Sequence, residues 1–308
     1  MRFLVTGGGG FLGSHLCERL LKSGHSVVAL DDFSNGEREN IRGLGDLGEF
    51  EVLEYDVTMP FHVDVDGIFN LACPASPIQY QRHPTRTTKT AILGAINCLE
   101  LAKKLDVPVL QASTSEVYGD PLESPQVEEY WGNVNPIGIR ACYDEGKRAA
   151  ETLFVDYHRE FSVDIRIARI FNTYGPRMAL NDGRVVTQLV TQALRGEPLT
   201  IYGDGEQTRS FCYVDDLVSG IVALFFATGE HRPINLGNPA PISMAQLAAE
   251  VIYLTASPSR VSYLPLPQDD PASREPDIQR ATKVLDWHPL VERKDGLAAT
   301  IADIRSRM

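Results

Sequence analysis

Eight residues near the start of the chain, Thr6–Gly13 (TGGGGFLG), restrict the possible fold more than any other stretch. They follow a short apolar run, Phe3–Thr6, and open a segment in which Leu12, Leu16 and Leu20 recur at every fourth position until Gly24. A strand that passes through a glycine turn into a helix places backbone amides at the helix N-terminus, where they suit a pyrophosphate. Gly7, Gly10 and Gly13 fit G-x-x-G-x-x-G, while Gly8, Gly10 and Gly13 fit G-x-G-x-x-G. Either spacing permits the tight turn and the close backbone approach. The next strand-like run, Ser26–Asp31, ends on a carboxylate 18 residues after Gly13. An acid there suits the ribose hydroxyls of NAD and repels the 2′-phosphate of NADP.

The same alternation continues. Glu51–Asp56, Gly67–Ala72, Val107–Ser113 and Ile165–Phe171 read as buried strands, with helical patterns over Phe11–Ser23, Thr87–Leu105 and Tyr143–Phe161. This order predicts an α/β fold: a Rossmann-type, doubly wound parallel sheet. Beyond about Thr173 the rhythm loosens. Val185, Val186, Leu189, Val190, Ala193 and Leu194 form a helical stripe, Thr200–Tyr202 a short strand, and Asp215–Phe226 and Met244–Leu254 two more helices. No Gly/Ser linker intervenes, so the expectation is an NAD-binding domain over residues 1–172 and a smaller C-terminal α/β substrate-binding lobe over 173–308. Two stretches read as irregular: Glu116–Cys142, too long for an ordinary connection, and Leu264–Ile278, with Pro265, Pro267, Pro271 and Pro276.

Composition limits the partners. Acidic residues outnumber basic ones 41 to 29, a formal charge of -12, which repels nucleic-acid backbones and anionic membranes. No apolar run approaches the ~20 residues of a membrane span. The N-terminus enters a strand at once, leaving no room for a targeting peptide, so a cytoplasmic location is expected. The five cysteines are scattered and form no C-x-x-C pair, and the seven histidines have no ligand spacing; no metal site is expected. His15 is expected to pack behind the glycine turn and His158 to lie on an exposed helix face. Tyr130 and Trp131 in the long loop suit either stacking on a base or closing the loop against the body.

Tyr143 and Lys147 lie four apart, on one face of a helix. An ammonium beside a phenol, near a positively charged nicotinamide, lowers the phenol pKa and makes Tyr143 a general base for an alcohol. Ser113-Thr114-Ser115-Glu116, ending the preceding strand, gives that pair its context.

Together these residues resemble the extended short-chain dehydrogenase/reductases that modify nucleotide sugars. NLACPASPIQYQ (Asn70–Gln81), STSEVYGDPLESPQ (Ser113–Gln126), YWGNVNPIGIRACYDEGKRAAET (Tyr130–Thr152), RIFNTYGPRM (Arg169–Met178) and YGDGEQTRSFCYVDDL (Tyr202–Leu217) are similar to the UDP-glucuronate decarboxylase, or UDP-xylose synthase, family. The resemblance spans Phe3 to about Ile304. It implies Tyr143 as base, Lys147 as its support and Thr114 as the hydroxyl that meets the substrate C4 oxygen. It implies Phe11 and Leu12 at the cofactor after the glycines, then Asp32, Asn35 and Gly36 beyond Asp31. Asp56 and Val57 follow the third strand, Leu71, Ala72 and Cys73 the fourth, and Thr90 lies on the helix after it. On the substrate side it implies Lys89, Asn172, Arg184 and Val185, with Tyr202, Gln207 and Arg209 at the UDP portion. Arg274 in SREPDI matches an arginine near the sugar carboxylate. Cys73 stands where many members have serine, and Asp32 where asparagine is frequent.

The implied activity is NAD-dependent, redox-neutral decarboxylation of UDP-glucuronate to UDP-xylose and CO2 through a 4-keto sugar, in a homodimer built on the two long helices. UDP-glucuronate 4-epimerase, or another nucleotide-sugar epimerase or dehydratase, is the alternative. Ser115 stands where the related dehydratases carry an acid, and Glu116 with Arg274 favours decarboxylation.

Overall fold

A computed structural model of the chain describes residues 1–181, 183–266 and 273–308. The six predicted apolar runs form strands β1 (Arg2–Thr6), β2 (Ser26–Asp31), β3 (Phe50–Glu54), β4 (Gly67–Asn70), β5 (Val109–Thr114) and β6 (Ile165–Ile170). All pair in parallel, in the order β6-β5-β4-β1-β2-β3. A seventh strand, Pro233–Leu236, adds to β6. It comes from beyond residue 172, so the chain returns to the main sheet after building part of the smaller lobe.

β1, β2, β4 and β5 are buried along nearly their whole length because helices cover both faces. On one face α1 (Phe11–Lys22) and the helix Val214–Phe226 place Leu16, Leu20, Leu217 and Ile221 against Phe3, Val5 and Phe69. After a short helix α2 (Pro77–Arg82), the long α3 (Pro84–Leu105) and α4 (Ala141–Phe161) cover the other face. There Cys98, Leu99, Ala150 and Phe154 pack on Leu4, Ile68, Val109 and Ile165. As predicted, α1 stops at Gly24, which has a φ of 79° that costs other residues strain.

The strand order reverses between β1 and β4, and a cleft opens at the carboxyl ends of those strands, the usual place for a ligand in such sheets. Buried side chains tie the strand ends together. Thr6 Oγ1 donates to Asn70 Oδ1 at 2.8 Å, and Asn70 Nδ2 to Gln111 Oε1 at 2.8 Å. The smaller lobe rests on the rim through the helices Val185–Arg195 and Met244–Thr255 and, among the described residues, three small sheets.

Three sequence expectations change. Arg274 does not lie in an irregular loop: Ser273–Arg274 is a short strand, in parallel register with Thr208–Arg209. Pro267 and Pro271 of that stretch lie outside the described residues. The segment after β5 is well tied down, because Tyr130 stacks on Tyr118 and accepts a hydrogen bond from Leu122 N, whereas the Trp131 ring faces solvent, 89% exposed. Tyr130 therefore closes the loop and Trp131 does not. His158 is half-buried rather than exposed, bonded to Val163 O at 2.9 Å with its ring 3.9 Å from that of His231. His15, in contrast, packs behind the glycine turn, its ring edge-on to that of Phe11 and Nε2 3.0 Å from Pro176 O. Among the described residues no helix is long and apolar enough to cross a membrane.

Candidate active site

The cleft has a volume of about 600 Å³ and runs from the glycine turn to the smaller lobe. At one end the wall is backbone. Gly7 adopts a φ of 71°, and a Cβ there would meet the Ala72 backbone at 3.0 Å. A Cβ on Gly13 would lie 2.0 Å from Gly7 O. Gly10 caps α1 with no side chain of its own, and the first turn carries no acid, so the amides at Phe11 and Leu12 face the cleft without an intrahelical acceptor. A surface kept free of side chains at a positive helix end fits the diphosphate of a dinucleotide.

Asp31 closes this end. Its carboxylate accepts from Gly9 N at 2.9 Å and Phe33 N at 2.8 Å, and a Cβ on Gly36 would sit 2.8 Å from it. Burial nonetheless raises its pKa, these bonds only partly compensating. Asp32 ion-pairs with Arg86 of α3 at 2.5 Å beside the cleft. Asn35, Val57, Leu71, Cys73 and Thr90 also line it. Asp56 and Lys89 do not: Asp56 accepts from Thr58 N in its own turn, and Lys89 is exposed on α3.

At the centre β5 and α4 meet. Thr114 ends β5 and accepts from Glu116 N at 3.2 Å, which starts a single 3-10 turn carrying Ser115 and Glu116. Tyr143 and Lys147 point from one face of α4 into the same space. Lys147 Nζ donates to Ala112 O at 2.8 Å and stands 5.9 Å from the Tyr143 ring. The expected lowering of the phenol is reversed in the protein alone. Burial raises the Tyr143 pKa, nearby Cys73 adds to this, and the Thr114 hydroxyl pulls the other way. Spacing places the ammonium correctly, but desolvation outweighs it, and burial depresses Lys147 itself.

The sugar end is charged. Glu116 Oε2 accepts from Arg140 Nη2 at 2.6 Å and from Arg274 Nη2 at 3.1 Å, while Arg274 Nη1 donates to Gly119 O at 2.9 Å. Against the opposing cost of burial, these arginines hold the Glu116 carboxyl down at about 2. It is therefore ionised at any working pH and is no proton donor. Arg140 was not singled out in the sequence, although its place three residues before Tyr143 puts both on one helix face. Tyr80 was missed too: its ring lies 5.1 Å from that of Tyr143, 4° from parallel. Asn172, Arg184, Val185, Tyr202, Gln207 and Arg209 line the far wall, with Gln207 Nε2 donating to Tyr202 O at 2.5 Å.

A glycine cradle at a strand-order reversal, joined to a Tyr/Lys pair, defines a dinucleotide-dependent enzyme that works on a hydroxyl group. The chain belongs to the NAD dependent epimerase/dehydratase family, whose model matches residues 3–237. It is 52% identical over 310 residues to UDP-glucuronic acid decarboxylase 4 of Arabidopsis thaliana, covering 100% of this chain and 69% of that one. It is 50% identical over 307 residues to UDP-glucuronic acid decarboxylase 1 of Xenopus tropicalis, covering 100% and 73%. Among solved structures, UDP-glucuronic acid 4-epimerase from Bacillus cereus, in complex with UDP-glucuronic acid and NAD, superposes with a TM-score of 0.89 at 30% identity, covering 100% of both chains.

Proposed function

We infer that this protein is an NAD-dependent enzyme that converts UDP-glucuronate to UDP-xylose and CO2. The observation that carries the reading is the Glu116–Arg274 contact beside Tyr143, together with full-length identity of about half to decarboxylases. The epimerase reading draws on the Bacillus cereus neighbour, at a lower identity of 30%.

The turn Gly7–Gly13 would hold the diphosphate of the cofactor and Asp31 its adenosine ribose, and the bound cofactor would supply a reversible acceptor for the C4 hydride. Tyr143 takes the proton of the C4 hydroxyl, with Lys147 as its charged support and Thr114 holding the C4 oxygen. The substrate then carries a ketone β to its carboxylate, so the C5–carboxylate bond breaks and its electron pair moves into the ketone. Tyr143 and Thr114 stabilise the oxygen on which that charge collects. A proton from solvent then adds to C5 in place of the departed CO2. Return of hydride to C4 and of the Tyr143 proton to the C4 oxygen completes UDP-xylose. Ser115 is too weak an acid to expel a C6 hydroxyl, which disfavours dehydration. Arg184, Gln207 and Arg209 hold the UDP portion. α3 and α4, which pack side by side, provide the face for a homodimer, and five unpaired cysteines suit a cytoplasmic setting.

Mass spectrometry of the product after incubation with UDP-glucuronate and NAD decides between the readings. Loss of CO2 is expected, whereas an isomer of unchanged mass would make the protein an epimerase.

A further inference from the structure

A contact between the two walls crosses the mouth of the cleft. Ile78, on α2, lies against Gly183, which leads into the helix Val185–Arg195 of the smaller lobe. A Cβ on Gly183 would overlap Ile78 Cδ1 and stand 2.9 Å from Cγ1, so the isoleucine seats there because the position has no side chain. The φ of 76° at Gly183 favours glycine as well. Both residues line the cleft, yet Ile78 is 58% exposed and Gly183 is exposed too. They therefore meet where the cleft opens to solvent. The mechanism above gives neither of them a role.

α2 makes this contact from its outward side. Tyr80, two positions on and so nearly opposite around the helix, is buried and stacks on Tyr143 with ring centroids 5.1 Å apart. Its carbonyl accepts from Thr87 Oγ1 at 3.1 Å, which ties α2 to α3. The element that rests on the base is thus the element that reaches across to the lobe. A ligand in the cleft lies beneath that span.

The chemistry makes such a span matter at one stage. Once CO2 has left, the intermediate is a UDP-4-keto-pentose, which has lost a charge by which the site could hold its precursor. Hydride return then competes with escape. Escape converts UDP-glucuronate and NAD+ to UDP-4-keto-pentose, CO2 and NADH, the two electrons staying on the cofactor. Closure over a reactive intermediate commits it to the remaining step.

We propose that the Ile78–Gly183 contact is a latch that keeps the keto sugar in the cleft until hydride returns to C4. It thereby decides whether a turnover ends in UDP-xylose or in the free keto sugar. The proposal rests on the UDP-glucuronate reading, and Ile78 and Gly183 enter it as positioning residues that hold the two walls together.

Two readouts test it on Ile78→Ala, an exposed position whose truncation leaves the core intact. The first is the share of turnovers of NAD-loaded protein that leave NADH and a product two hydrogens lighter than UDP-xylose. The second is the dissociation rate of labelled UDP chased with unlabelled UDP, which needs no turnover. Both should rise by roughly 5-fold. Gly183→Ala, which displaces the isoleucine from the other side, should move both in the same direction. Ile78→Leu, which keeps the apolar reach, should stay within about twofold of the parent. An Ile78→Ala protein with either readout unchanged overturns the proposal, including one that merely releases CO2 more slowly, the mark of a structural role for α2. The decarboxylase reading fails separately, if the unmodified enzyme releases no CO2, and UDP dissociation still tests the latch in that case.

Discussion

The two ends of the cleft are made in opposite ways. The cofactor end is backbone: glycines within eight consecutive residues, an open helix terminus and one carboxylate. The sugar end is side chains brought from far apart, with Arg140 24 positions and Arg274 158 positions from Glu116 in the sequence. One end excludes side chains so that a ligand can approach. The other concentrates charge inside a protein whose net charge, -12, opposes an anionic substrate at long range. Shape dominates the first end and electrostatics the second, so the two should fail differently when altered.

The largest effect is expected at the cofactor end. In Gly13→Ala the new Cβ would lie 2.0 Å from Gly7 O, 2.8 Å from Gly7 C and 2.9 Å from Gly8 Cα, all backbone, so nothing can rotate away. NAD affinity, measured by calorimetry, should drop by roughly 100-fold or more. Near-normal binding would show that the turn is not the seat of the diphosphate, and the contrast between the ends would lose its basis.

The next effect is at the sugar end. Glu116→Gln preserves shape and removes the charge shared by Arg140 and Arg274, leaving two buried guanidinia without their common partner. CO2 release should fall by roughly 30-fold or more while NAD affinity stays within about twofold. A variant that loses both together would mean that the ends are not independent. Normal CO2 release would remove Glu116 from the mechanism.

The same contrast explains what the sequence made legible. The glycine turn, Asp31 and six strands are local, and each announces itself through neighbours in the chain. Strand Pro233–Leu236 was hidden because Asn235 breaks its apolar run. That side chain is buried for bonding, donating to Gln126 O and Asp277 O and accepting from Tyr118 OH, and no periodicity records such a need. Arg274 sits among prolines that read as a loop, and only its pairing with Arg209, 65 positions earlier in sequence, makes it a strand. The rise of the Tyr143 pKa in the protein alone was not legible, because helical spacing reports a neighbouring charge but not depth of burial.

The smallest expected effect concerns the price of concentrating charge at the sugar end. Asp144 is buried, with Oδ1 lacking a hydrogen-bond partner, and its carboxyl is raised to about 7 by burial first and then by Glu116, against the pull of Arg140 and Arg274. An unfolded chain loses this proton near 4. Between roughly pH 4 and 7, therefore, the folded protein keeps a proton that the unfolded one has lost. The stabilisation is complete below that window and disappears as pH rises through 7. Glu116 does not blur the comparison, because its contribution is lost only on acidification towards about 2. Thermal unfolding of Asp144→Asn should accordingly match the parent near pH 4 and exceed it by about 3 °C at pH 8.5. Parallel curves for the two proteins would show that Asp144 does not titrate in this window, and that the arginines beside it outweigh its burial.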